Sequence, residues 1–386
     1  MTGLPMNCFE IFFNFFTGSS IQTTSNHPIH LFQDPPHPNA RIIFFHDIDW
    51  GRKQTHTSSW MSSSDPEECW PETWLTKRYQ DAQIVSTCYD AGIWKKSTTG
   101  RMDLRRLGEN LRQDIMPLIF NNECPIFLVG HGLGGLVIKV LIRDMQEKRD
   151  SLHRRKASHH SYNRDISKLD CFLENVKGFL FYNTPFLGSR LVGWTKCIPC
   201  KGLLLGPLKV LSTQACLANQ WFMEWRNGRQ DCKVKMIHAV LPTQVGLWYA
   251  KVVEEGSARH DIDDFYSFPS DHFNVCRPTD ENDMRFKYLT ELIDLHMPET
   301  TRRMPPPPIE DRGKSACIQS MTDIQLKLEE VGRIGLMVDK CVLMEIKRFP
   351  DVWDSLTDAQ KNSGFEKTND FPNSEFWERV DEQGYV

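Results

Sequence analysis

Hydrophobic positions along the chain fall into short unbroken runs separated by longer amphipathic stretches. Arg41 to Asp47 (RIIFFHD), Ala82 to Cys88 (AQIVSTC) and Pro125 to Val129 (PIFLV) are apolar runs of strand length bounded by turn residues, the pattern of strands buried on both faces. Val176 to Tyr182 and Lys233 to Val240 supply two more, and Ala250 to Val253 a last short one. Between them the period changes. After Asp103, residues Leu104, Leu107, Leu111, Ile115 and Leu118 recur three and four positions apart, which predicts a helix with one apolar stripe. Further helices are expected over Leu133 to Met145, near Leu208 to Trp225, and from Asp280 through Leu295. Strands alternating with helices predict the α/β class, with a mainly parallel sheet covered by helices on both faces.

The pattern lapses at both ends. Residues 1–40 are rich in Pro, His, Ser and Thr and read as an N-terminal extension. Within it, Phe9 to Phe16 (FEIFFNFF) is shorter than the roughly 20 apolar residues of a membrane span and reads as a buried edge strand or interfacial patch. The main domain is expected over 41–298, with a helical insertion from about 187 to 231. Four prolines, Pro305 to Pro308, end regular structure and mark a linker over 299–320. The tail, 321–386, is expected to be helical over Met321 to Ile346 and partly disordered beyond.

Composition narrows the function. With 386 residues and a hydrophobic share of 40%, the chain has the apolar content for a real core. A formal net charge of −4 argues against a dedicated nucleic-acid binder, which needs a basic face. Twelve scattered cysteines with no secretory signal before them read as reduced thiols of an intracellular protein. Cys197-Ile198-Pro199-Cys200 is a lone C-x-x-C without the second pair or the histidines that zinc requires, so neither a metal nor a cofactor is expected. The basic run from Lys148 to Lys168 reads as a solvated loop at the sheet edge away from the ligand crevice.

Gly130-His131-Gly132-Leu133-Gly134-Gly135 follows one predicted strand and opens a helix. As a dinucleotide fingerprint it would need a second strand with an acidic residue about 20 positions on, and Arg149 to Arg164 contains no apolar run. As a nucleophile elbow, G-x-S-x-G, it has strand, turn and helix in order, with Gly132 in the serine position and a strained positive φ expected there. A plain glycine-rich turn is the third reading.

Further motifs favour the elbow. Cys69 to Leu75 (CWPETWL), Tyr89-Asp90, Gly130 to Lys139 (GHGLGGLVIK), Gly178 to Ser189 (GFLFYNTPFLGS), Leu241-Pro242-Thr243 and Asp271 to Pro278 (DHFNVCRP) occur in order. On these residues the chain resembles the serine-active-site-containing α/β hydrolases, with their plant-type relatives and the wider serine esterase and lipase group. The resemblance runs from about Arg41 to Pro298. It implies an α/β-hydrolase fold with a helical lid over about 187–231. It also implies a triad in the order Ser, Asp or Glu, His. Gly132 then stands at the nucleophile position with the serine lost, and His272 is the base. Ala239 stands at the acid position with the carboxylate lost, and Glu255, beside Glu254, is a weaker alternative acid. Leu133 supplies an oxyanion N–H. His46-Asp47 replaces the family's His-Gly at the other oxyanion strand end, where the charge of Asp47 would oppose an oxyanion.

The expected function is therefore that of an impaired esterase- or lipase-like homologue acting as a lipid- or ester-binding or interaction module. An active hydrolase or transacylase using another nucleophile, and the N-terminal module of a signalling or immune receptor, stay open as alternatives. A lipid or ester ligand is the expected partner, nucleic acid is not, peripheral membrane contact stays open, and a protein partner is not legible. The resemblance implies mitochondrial or endoplasmic-reticulum association; without it the location would read as cytoplasmic.

Overall fold

The structure, a computed structural model, describes residues 28–48, 55–89, 91, 104–118, 123–154, 160–189, 212–245, 248–259, 262 and 264–297. The apolar patch 9–16, the C-x-x-C at 197–200, the proline linker and the tail lie outside the described residues.

The strands are β1 (Ile29–Gln33), β2 (Ala40–Phe45), β3 (Ala82–Thr87), β4 (Ile126–His131), β5 (Val176–Tyr182), β6 (Lys233–Ala239), β7 (Thr243–Val245), β8 (Trp248–Ala250) and β9 (Asp264–Phe268). Seven form one sheet in the order β1-β3-β2-β4-β5-β6-β9. Every neighbouring pair is parallel except β1, which runs antiparallel to β3. β7 and β8 form an antiparallel hairpin. The principal helices are α1 (Leu104–Ile115), α2 (Leu133–Arg154), α3 (His160–Asn175), α4 (Thr213–Asn227), α5 (Glu255–Arg259) and α6 (Met284–Asp294).

Every residue of β2, β3 and β4 is buried, as expected for central strands covered on both faces. Side chains alternate across the sheet. Ile43 and Phe45 of β2 join Leu128, Phe179 and Met236 in a cluster with the buried faces of α1, α2, α3 and α4. Ile42 and Phe44 join Val129, Leu180 and Ile237 in a second cluster with Trp60, Trp70, Trp74 and the buried face of α6.

Several expectations change. β4 continues through Gly130 to His131, and α2 runs to Arg154 rather than stopping near Met145. The basic run read as a loop is helical over Lys148–Arg154 and again from His160 in α3. Its charges hide a stripe: Leu169, Phe172 and Leu173 are buried at helical spacing. Val252 and Val253 are not in a strand, and the last strand of the sheet is β9 instead. Both β9 and β1, which lies in the region read as an extension, are half-buried edge strands, so neither carries the unbroken apolar run of a central strand. Of the segment expected as a lid, α4 is a core helix: Ala215, Ala218 and Phe222 are buried, and the Phe222 ring meets Phe179 edge-on at 5.0 Å. Residues 190–211 lie outside the described part.

Candidate active site

β4 ends at His131 and α2 begins at Leu133, so the chain turns from strand to helix on Gly132 alone. Its φ is +52°, and its N–H donates to Tyr182 O at 2.9 Å. The sharp turn with positive φ expected of an elbow is present. A Cβ at Gly134 would lie 2.1 Å from Phe45 O, so the first turn of α2 touches the backbone at the end of β2. That contact places the next residues of the chain, His46 and Asp47, over the elbow.

Asp47 is 4% exposed. Its Oδ1 accepts the Leu133 N–H at 2.7 Å, and its Oδ2 lies 2.9 Å from His272 Nε2. A Cβ at Gly132 would lie 2.1 Å from Oδ1, inside any permitted contact. The carboxylate of Asp47 therefore occupies the space a side chain at position 132 would need. Burial opposes its charge, but attraction to His272 and the hydrogen bond with it, helped by His131 and the Leu133 N–H, outweigh burial and hold the carboxyl well below the usual range.

His272 follows β9 on a turn in which Asp271 Oδ1 accepts the N–H of Phe273 and of Asn274 at 2.8 and 3.2 Å. His131 Nε2 lies 2.7 Å from His272 O, so its N–H anchors the loop. Trp70 Nε1 donates to Cys276 O at 3.1 Å, which joins the CWPETWL and DHFNVC motifs. On the other edge of the imidazole, Nδ1 lies 2.7 Å from Asn183 Nδ2. Asn183 has a φ of 45°, a conformation asparagine tolerates better than most residues. His46 donates from Nδ1 to Asp47 O at 2.7 Å and stacks on Tyr89 at 4.0 Å, while the Tyr89 hydroxyl donates to His46 O. Burial lowers His46 to about 4, with the bond to Asp47 O working against the shift, and pushes the Tyr89 phenol up.

Gly132, Leu133, Asp47 and His272 are thus brought to one point. Ala239 reaches the site only through its backbone, donating its N–H to Asn183 Oδ1 at 3.2 Å. Glu255 opens α5 with Arg259 Nη1 3.9 Å away, and the Nδ1 edge of His272 faces Asn183. Asn183 was missed from the sequence, because an asparagine after a strand carries no signal of its long-range partner. Asp47, His131 and His272 each place one ligand-type atom within 4.8 Å of the others, the donor types a transition metal takes. Hydrogen bonds within the group and to the His272 carbonyl account for that closeness.

A mainly parallel sheet in this strand order, with a tight strand-to-helix turn on Gly132 between β4 and α2, defines an α/β-hydrolase fold. No family model matches the chain. It is 24% identical over 241 residues to Protein SERAC1 of Danio rerio, covering 59% of this chain and 33% of that protein. To Protein SERAC1 of Homo sapiens it is 22% identical over 273 residues, covering 66% and 38%. The chain spans little more than a third of the length of these curated relatives. Among solved structures it is similar to the mature Bacillus licheniformis lipase BlEst2, with a TM-score of 0.43, 12% identity, and 70% of this chain and 98% of that one covered. Phospholipase PlaB from Legionella pneumophila in complex with thio-NAD gives 0.37, 11%, 57% and 41%. A putative epoxide hydrolase from Pseudomonas aeruginosa gives 0.38, 11%, 69% and 91%.

Proposed function

We propose that this chain is a lipase- or esterase-like homologue that has lost serine chemistry and acts by binding a lipid or ester ligand. A serine esterase needs a nucleophilic oxygen, the Nε2 of its base and an oxyanion N–H converging on one reacting carbonyl. Here the carboxylate of Asp47 accepts the Leu133 N–H and pairs with His272 Nε2, while Gly132 offers no oxygen. That single observation carries the loss of turnover: the donor that would stabilise an oxyanion is spent on a resident anion, and the resident anion would repel another. The ligand class is supported by the resemblance of the ordered motifs to esterases and lipases.

The test pairs chemistry with binding. Wild-type protein is expected to show no burst with p-nitrophenyl esters and no fluorophosphonate adduct, yet to bind a fluorescent fatty-acyl probe saturably. Robust labelling of the wild type would overturn the loss of turnover, and absence of saturable binding would overturn the ligand. Association with a mitochondrial or endoplasmic-reticulum membrane is proposed on the same resemblance, and cell fractionation tests it. Among the described residues no helix is long and apolar enough to cross a membrane.

A further inference from the structure

We infer that Asn183 is a positioning residue that holds His272 with its ring hydrogen on Nε2, the tautomer opposite to the one a serine esterase's base requires. The inference rests on reading the site as a disabled esterase centre and adds a separate reason for the loss.

The amide orientation follows from a backbone donor. Ala239 N–H points at one end of the Asn183 side chain from 3.2 Å, and His238 Nδ1 approaches the same end at 2.9 Å. A backbone N–H cannot accept, so the atom it faces is the amide oxygen. The other end of the amide, its NH2, then faces His272 Nδ1 at 2.7 Å. Nδ1 must accept. A neutral imidazole has one donor and one acceptor nitrogen, so the hydrogen sits on Nε2 and donates to Asp47 Oδ2 at 2.9 Å.

The donors then run in one direction: Ala239 N–H to Asn183, Asn183 to His272, and His272 to Asp47, whose other oxygen accepts Leu133 N–H. Asn183 has little freedom to turn over. It is 2% exposed, both ends of its amide are engaged, and its own N–H donates to Ile237 O at 2.8 Å. A serine esterase needs the reverse polarity, with Nδ1–H donating to a carboxylate and a lone pair on Nε2 facing the serine. The residue touching Nδ1 is 183 rather than 239, so the missing orienting acid is to be restored at 183.

The readout is the nitrogen type of His272 in protein carrying 15N-labelled histidine. A long-range proton–nitrogen correlation is assigned by the signal absent from His272→Gln. Wild type is expected to show pyridine-type Nδ1 and pyrrole-type Nε2; pyrrole-type Nδ1 would overturn the inference without any variant. Asn183→Asp, tolerated at positive φ, puts an acceptor against Nδ1 and is expected to make it pyrrole-type. An unchanged Nδ1 in that variant would show that Asn183 plays only a structural part. If Asn183→Asp does not fold, Asn183→Gly keeps the positive φ and removes the donor. It is expected to shift the nitrogen signals away from the wild-type pattern, and an unshifted spectrum counts against the inference. In an Asp47→Gly/Gly132→Ser background, adding Asn183→Asp is expected to raise the fluorophosphonate labelling rate by about 100-fold or more. That is part of the roughly 10⁴-fold lost when a serine protease carries Asn for its orienting Asp; no gain would also refute it. Labelling of the wild type would instead refute the disabled centre itself, whatever the spectrum shows.

Discussion

The aromatic wall around Trp70 and the elbow at Gly132 are both built from the motifs that carry the family resemblance, and both are buried. In the wall, Trp70 meets Trp60 and Phe286 edge-on, with centroids 6.2 and 5.9 Å apart. The indole N–H groups of Trp70 and Trp74 donate to Cys276 O and Glu68 Oε1. That arrangement packs the face of the sheet and pairs the indole N–H groups of Trp70 and Trp74. At the elbow the turn is equally tight, and Asp47, Leu133 and His272 bond to one another. Buried donors left without partners are costly, and the carboxylate of Asp47 on the neighbouring strand end accepts the Leu133 N–H. Packing of the sheet face and the hydrogen bonds at the elbow are separable constraints on this chain.

Substitution and titration can each break that contrast. Trp70→Ala should cost about 4 kcal/mol of stability in chemical denaturation. A much smaller cost would mean the wall is not a packing element. Gly132→Ser should cost about 3 kcal/mol through overpacking against Asp47 and positive-φ strain. Adding Asp47→Gly should recover part of that loss, with a coupling of about 1–3 kcal/mol. Strict additivity would show that the carboxylate does not fill the elbow.

Acid should act through His46. Burial lowers this histidine from 6.5 to about 4, so the unfolded chain takes up a proton first as the pH falls. The contribution is fully present above about pH 6.5 and is lost between there and pH 4, amounting to up to about 3 kcal/mol. His46→Gln should flatten that slope of stability against pH, and an unchanged slope would place its origin elsewhere. The smallest effect is expected from Trp70→Phe, which keeps most of the packing and gives up the hydrogen bond to Cys276 O for about 1 kcal/mol.

The central strands, the elbow and the placing of His272 beside it were legible because each depends on local pattern: an apolar run, a glycine-rich turn, a motif before the last described helix. Asp47 was legible as a neighbour of the elbow from its place beside His46. The edge strands β1 and β9 were not, since half-buried edges mix polar and apolar residues. α3 was hidden by its charges. Asn183 was hidden for a different reason: its part in the site depends on hydrogen bonds to Ala239 and His272, residues remote in sequence, and on which end of its amide meets which partner. Ala239, expected at the acid position, holds through its backbone the Asn183 side chain that faces His272.

The claim that Asp47 plugs the elbow is tested most directly by fluorophosphonate labelling of Gly132→Ser with and without Asp47→Gly. The plug predicts no adduct in the wild type or in Gly132→Ser, and an adduct at residue 132 only in Asp47→Gly/Gly132→Ser. An adduct in Gly132→Ser at the same rate as in the double variant would contradict it.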